Sequence, residues 1–399
     1  MKNRFILLLF LLLIPTLSGC YDDKEIDETA YIIALGIDKG DNENYSYTFQ
    51  FSSPLSLYVG ESGEDSGQEG NEKQAKSGEN STVSNLVIDA PDFYIAKNMT
   101  NNFLSKNVDM SHLKLIVFSA QIDANGVEDH SQLLLHEREI RPHTAIAVAA
   151  TSAGEYIENV NPELESNTSK YYELMSLRSN NVYAPSKRLH DFVDDMTAKN
   201  SDSVLPIAVN GKELKNFPSD NSTEGWITPH DSQVSSSHSV LSGMAIFKDG
   251  KLSGAMDGDS AMIFNILNRS IKNCTITVAN QSAPNETLSF RLTVLDPAAY
   301  STDIENNSIS VSQNFQLEFL GLRLPQGYHS FDELYSYTQR VLGQRIQDFL
   351  NDISHNRKAD ILDIRSHLRP QFTTWAEWNN FDWDNFYQKA NFAVNTDIV

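Results

Sequence analysis

A mixed α+β (α/β) architecture, multi-domain with two to three domains of mixed sheets packed with helices and lipid-anchored, is what this sequence predicts. Three observations carry it. Between Asp92 and Ala150, segments of helical spacing alternate with short apolar runs, the signature of helices layered on a sheet. Two other stretches, around Ile32 to Phe51 and Gly243 to Leu252, read as β-hairpins. Finally, Met1 to Cys20 reads as an export signal that ends in a lipid-attachment site.

The signal opens with Lys2 and Arg4, continues with the unbroken apolar run Phe5 to Ile14, and closes on Leu17-Ser18-Gly19-Cys20. A run of ten apolar residues is too short to span a bilayer as a helix, which takes about 20, and it suits a cleavable signal. An ordinary signal with an incidental cysteine is the competing reading, but it needs no thiol at the cut. On the lipoprotein reading Leu17, Ser18 and Gly19 form the lipobox, and Cys20 carries an S-diacylglycerol group and then an N-acyl group. One acyl chain binds a membrane marginally and two hold firmly, so the mature chain would be extracytoplasmic and anchored by lipid. With Cys20 acylated, Cys274 is left without an intramolecular partner, and the fold must rest on its apolar cores.

After a short polar tether at Tyr21 to Asp27, Ile32, Ile33, Leu35 and Ile37 form a β-prone run. Asp38 to Asn42 supplies turn chemistry, and Tyr45, Tyr47, Phe49 and Phe51 alternate with polar residues on the return. Gly60 to Thr82 contains no large apolar residue and reads as a disordered insertion. Asp92 to Leu104 has helical spacing, Leu113 to Phe118 is a buried strand, Gln132 to Glu139 a short helix, and Ala145 to Ala150 a second buried strand. The polar stretch Lys212 to Ser239 holds the main boundary. Beyond it, Gly243 to Leu252 folds about Asp249-Gly250, and strands follow at Cys274 to Val278, Leu288 to Leu295 and Ile309 to Phe319. The clearest helix is Phe331 to Ile353, introduced by the capping pair Ser330 and Glu333 and marked by one apolar stripe. A Trp-rich tail ends in a strand through Phe392, Val394 and Ile398. The expected division is a signal peptide at 1–19, an N-terminal domain at 20–205 with its insertion at 60–82, a polar linker at 206–240, and a C-terminal domain at 241–399.

Thirty-one basic residues against 53 acidic ones give a net charge of −22. Such a surface repels nucleic-acid phosphates, and direct adhesion to anionic lipid headgroups is disfavoured as well. No catalytic constellation emerges, and no cofactor or metal site is expected. His112, His130, His136 and His143 lack the spacing of a zinc site, and Asp257-Gly258-Asp259-Ser260 reads as a loop rather than a nucleophile elbow. Cys274, among Ile271, Ile276 and Val278, reads as a small core hydrophobe.

A set of colinear motifs resembles the Ger(x)C family, the lipoprotein C subunits of nutrient germinant receptors in endospore-forming bacteria. It starts at Gly19-Cys20-Tyr21-Asp22-Asp23-Lys24-Glu25-Ile26, where the family typically has Trp at the position of Tyr21. It continues through Ala34-Leu35-Gly36-Ile37-Asp38, Ser111 to Ser119 before Gly126-Val127, Gly243 to Gly254, Ala359-Asp360-Ile361-Leu362, and Trp375 with Trp383. The resemblance implies three mixed α/β domains and a non-enzymatic role on the outer face of the spore inner membrane. There the family works with integral membrane A and B subunits to start germination in response to nutrients. It carries over no functional residue except the lipidated Cys20. Two other classes stay open: a solute-binding lipoprotein of an importer, with two doubly wound hinged lobes, and a lipid-anchored surface hydrolase.

Overall fold

Strand β1 (Thr29–Lys39) is buried on both faces along almost its whole length, as its near-continuous apolar run requires of a central strand. It is the axis of a large sheet in the computed structural model of the chain, which describes residues 28–52, 83–122, 125–162, 165, 167–177, 181–197, 202–210, 223–227 and 239–398. The signal peptide, Leu17 to Cys20 and the insertion 60–82 lie outside the described residues.

The expected hairpin is present: β2 (Tyr45–Ser52) returns antiparallel to β1, and β3 (Val83–Ala90) pairs with β2 from Tyr45↔Ala90 to Ser52↔Val83. A register shift between Ile32 and Ala34 turns β1 so that Ile32, Leu35 and Ile37 share one core while Ile33 and Ala34 enter another. Helix α1 (Phe93–Phe103) starts on the Asp92 side chain, which accepts from Ile95 N at 2.9 Å, and buries Phe93, Ala96 and Thr100. The short β4 (Asn107–Asp109) then pairs with Thr29 to Tyr31, and β5 (Leu115–Ser119) with Ala34 to Ile37. Helix α2 (Gly126–His136) begins six residues before the expected Gln132. The chain proceeds through β6 (Ala145–Ala149), α3 (Ala153–Glu158), α4 (Thr168–Leu177), α5 (Leu189–Thr197), β7 (Ser203–Asn210), β8 (Ser239–Lys248) and β9 (Lys251–Met256).

Among the described residues the sheet order is β3-β2-β1-β5-β6-β7-β8-β9, with β4 beside β1. The centre is parallel and both flanks are antiparallel. Helices α1, α2 and α5 cover one face, over Tyr47, Phe49 and Phe118; α3 and α4 cover the other, over Leu115, Val117 and Ala147. The interval 206–240, expected as a linker, starts inside β7; β8 hydrogen-bonds onto β7 and β9 onto β8, so both continue the first sheet. Pro206 conceals β7 in the sequence: it lacks an N–H, and β6 pairs with β7 only at Ile207 and Ala208. The tight turn between β8 and β9 is as expected, with Asp249 and Gly250 at φ 48° and 80°.

Helix α6 (Gly258–Leu267) is buried at every position and sits between the first sheet and a second one. That sheet comprises β10 (Asn273–Asn280), β11 (Ala283–Val294), β12 (Ala299–Asp303), β13 (Ser308–Phe319) and the final strand β14 (Asn391–Ile398). Its pairs are antiparallel except β13 with β14. Burial alternates along β13, so the sheet has one packed face, covered by α7 (Phe331–Asn351). Ser330 Oγ accepts from Glu333 N as the capping pair requires, while the Glu333 carboxylate accepts from His329 N, one residue early. A π-helical turn at Asp352–Asn356 ends α7, and α8 (Ile364–Leu368), α9 (Trp375–Asn380) and α10 (Trp383–Tyr387) lead to β14. The mixed α+β class is therefore the observed one. Among the described residues no helix is long and apolar enough to cross a membrane.

Because Ser52 and Val83 face each other across β2 and β3, the ends of the segment between them are already adjacent. Replacing Gly60 to Thr82 with a short Gly-Ser linker should leave the melting temperature nearly unchanged, since each doubling of loop length costs only about 0.6 kcal/mol. A fall of many degrees in a thermal denaturation scan would show instead that the segment packs.

Candidate functional site

Gly36-Ile37-Asp38 occupies the end of β1, beside β5 and under the start of α3. A Cβ on Gly36 would lie 3.0 Å from Ile157 Cδ1 and 3.2 Å from the Ala153 carbonyl carbon, so glycine lets α3 lie against the strand. Two residues on, and on the same face, the Asp38 carboxylate accepts from Ala153 N and Gly154 N, both at 2.8 Å. The motif is thus a joint that fixes α3 to the carboxyl end of the parallel strands. Above it opens a cleft of about 500 Å³, lined by Asp41, Thr48, Ser119, Gln121, Thr151 and Glu155 among others. Ligands of open α/β sheets bind at this end, where neighbouring strands are reached in opposite directions, as β2 and β5 are from β1. The lining contains no histidine, and the Ser119 hydroxyl donates to the Thr151 carbonyl, so the cleft offers polar contacts rather than an activated nucleophile.

A second polar centre lies between the sheets. Asp257 caps α6 by accepting from Ser260 N, which sets Asp259 and Ser260 on the first turn. Arg345, from the buried stripe of α7, donates Nε to Asp259 Oδ2 at 2.8 Å and Nη2 to Ser260 Oγ at 3.0 Å. The side chains of Arg345 and Asp259 are 3% and 0% exposed. The Trp226 indole N–H donates to the same carboxylate at 3.0 Å. Burial pushes the Asp259 carboxyl up, opposed by Arg345 and Trp226. A cavity of about 270 Å³ adjoins Arg345 and reaches the π-helical turn at Asp352 and His355. The acids beside it are engaged: Asp348 accepts from Thr223 Oγ1 and Gln344 Nε2, and Asp352 from Arg357 Nε and Asn356 Nδ2. The geometry is that of a structural clasp joining α6, α7 and Trp226.

A third centre joins the start of β7 to the segment after α7. Asp202 Oδ2 accepts from Asp360 N at 2.7 Å, while the Asp360 carboxylate caps α8 by accepting from Ile364 N and Arg365 N, both at 2.9 Å. Burial is the main cause that pushes Asp202 up to about 6 and Asp360 up to about 7. The nearby acids Asp249 and Asp384 on one side and Asp363 on the other act the same way, against backbone donors and Lys248. The Asp202 carboxylate adds a smaller push to Asp360 in the same direction. Because unfolded carboxyls titrate near 4, the folded chain holds more protons between that pH and about 7. The pair's contribution to stability is therefore full below about 4 and is lost as pH rises through 6 to 7. Asp202→Asn keeps an acceptor for Asp360 N but removes one titrating group. Its melting temperature should fall less steeply than that of the wild type between about pH 4 and 7, and an unchanged slope would contradict the raised Asp202 carboxyl.

The residues singled out in the sequence fall elsewhere. His130 is buried under Tyr47, with Nδ1 donating to the Gly126 carbonyl and Nε2 accepting from the Tyr47 hydroxyl, both at 2.8 Å, and burial lowers its pKa. His112 packs edge-on against Tyr31, His143 against His190, and exposed His136 contacts the Gln132 carbonyl. Among the described residues no group of His, Cys, Asp and Glu is placed to hold a metal. Cys274 is buried on β10, where its thiol is pushed up to about 12. Asp257 to Ser260, expected as a loop, is instead a helix cap and first turn that carries the buried ion pair. Arg345 and Asp202 went unnoticed in the sequence, because an arginine in an apolar stripe and a lone aspartate give no local signal.

Residues 22–209 match the family described as Spore germination protein N-terminal domain, and residues 242–399 match Spore germination B3/GerAC like, C-terminal. No curated protein matches the sequence. A solved structure, "Crystal Structure of the GerBC protein", is 14% identical and superposes with a TM-score of 0.51 over 92% of this chain and 96% of that one, a likeness of fold. With both of the family's domains present in order along the chain, this protein belongs to the Ger(x)C family of spore germination proteins.

Proposed function

We propose that this chain is a non-enzymatic lipoprotein subunit of a spore nutrient germinant receptor, held to the membrane by acylated Cys20 and acting with integral membrane A and B subunits to trigger germination. The observation that carries the proposal is the match to both domains of the family, over 22–209 and 242–399. The buried polar groups agree with a structural role: Arg345, Asp259, Asp202 and Asp360 bond to one another, to Trp226 and to backbone. An importer's solute-binding protein would be built as two doubly wound lobes, whereas here the second sheet is antiparallel apart from one pair. In this role the chain is scaffold and contact surface, and the lipid keeps it at high local concentration beside its partners. The test is copurification from spore membranes solubilised in mild detergent. Recovery with two multispanning proteins is expected; recovery alone, with micromolar affinity for a single solute, would favour the importer.

A further inference from the structure

Strand β1 gives the first sheet a direction. The described chain begins at Glu28, so eight residue steps separate it from Cys20, a span of at most about 29 Å. That tether enters at the amino-terminal edge, where Thr29 pairs with Asn107. Strands β5 and β6 begin five residues further along β1, level with Ala34, and the turn before β6 reaches back to the end of β4, where Glu139 accepts from Met110 N. The acidic cleft at Asp38, Asp41 and Glu155 lies at the opposite end, beyond the far end of β1, about 33 Å along the strand from Thr29.

Charge is divided in the same direction. Lys106 precedes β4, Arg138 and Arg141 lie in the turn before β6, and Arg188 bridges Ala145 at the start of β6. None of these four cations has an ion-pair partner among the described residues. Neighbouring acids are held by other bases: Glu137 and Glu139 by Lys97, Glu173 by Lys114, and Asp195 by Lys187. Glu28 and Asp109 are the other acids close to the tether, and Asp191, in contact with His190, lies just after Arg188. On this edge Phe103 ends α1 and is 66% exposed, four residues before the Asn107 that pairs with Thr29. The opposite edge presents Asp38, Asp41, Glu43, Glu155 and Glu158 against Lys39.

An exposed aromatic among unpaired cations is the composition that sits at the headgroup level of an anionic bilayer. We propose that the amino-terminal edge of the first sheet is a membrane-docking face: Phe103, Lys106, Arg138, Arg141 and Arg188 rest on an anionic lipid surface beside the acylated Cys20. The proposal rests on the lipid-anchor reading and adds an orientation to it. The net charge of −22 disfavours adhesion of the chain as a whole, but it is unevenly distributed, and this edge is turned so that the acidic cleft faces away from the membrane.

The test uses full-length acylated protein in vesicles of phosphatidylglycerol and phosphatidylethanolamine. A fluorophore is placed at Ser105→Cys on the docking edge or Asp41→Cys on the opposite edge. Cys274 is buried with a thiol pushed up to about 12, so labelling is confined to the introduced site. Lipids with a nitroxide headgroup should quench the label at 105 several-fold more than the label at 41. High salt, or the combined Arg138→Glu, Arg141→Glu and Arg188→Glu variant, should at least halve that contrast in anionic vesicles while flotation persists. Equal quenching at the two sites in floating protein overturns the orientation alone, as does a contrast indifferent to both salt and charge reversal. Wild-type protein that fails to float overturns the anchor and the orientation together.

Discussion

Arg345→Ala should destabilise the protein by about 3–5 kcal/mol, because it leaves the Asp259 carboxylate buried and without its cation. For a domain of this size each kcal/mol corresponds to about 2–4 °C, so the melting temperature should fall on the order of 10 °C. The loss is large because removing one member of a buried pair strands the other, whatever the pair contributes on balance. Adding Asp259→Asn to Arg345→Met should recover much of it: no buried charge remains, and the asparagine carbonyl still accepts from the Trp226 indole. Thermal denaturation of the single and double variants decides the matter. A single variant that melts within a degree or two of the wild type would show that the clasp does not hold α6 to α7.

Cys20→Ala should abolish incorporation of labelled palmitate and shift the protein towards unprocessed precursor, and any mature chain formed should leave the membrane fraction. Each buried methylene of an acyl chain contributes about 0.8 kcal/mol, and two chains distinguish firm from marginal attachment, so the expected fall in membrane affinity spans many orders of magnitude. Among the described residues no membrane-crossing helix is present to substitute for the lipid. Wild-type protein that takes up no label in a cell competent for lipoprotein processing would contradict the assignment of Cys20.

Much of the fold was legible because local pattern and burial agree. The Tyr45 to Phe51 alternation, the Asp249-Gly250 turn and the capped helix from Phe331 each appear where their chemistry predicts. The misses have physical causes. Helix α6 is buried all round, so it lacks the polar face that reveals a helical period, and its Asp-Gly-Asp-Ser start imitates a loop. Strand β7 contains Pro206, which argues against a central strand, and β12 is a mostly exposed polar strand without alternation. Phe331, expected in the apolar stripe, is half exposed, while Arg345 lies inside that stripe. The candidate sites were less legible still. Gly36-Ile37-Asp38 was visible as a motif, but its task of holding α3 depends on residues 115 positions away. The Asp202–Asp360 contact spans 158 positions, which no local pattern encodes.

Germination of a strain lacking the gene tests the receptor reading most directly. Purified mutant spores are exposed in turn to amino acids, sugars and nucleosides, and to dodecylamine, which bypasses nutrient receptors. Release of dipicolinate should be lost for one class of nutrient and retained with dodecylamine. Spores that respond normally to every nutrient, from a strain that fails to import a solute during growth, would contradict it.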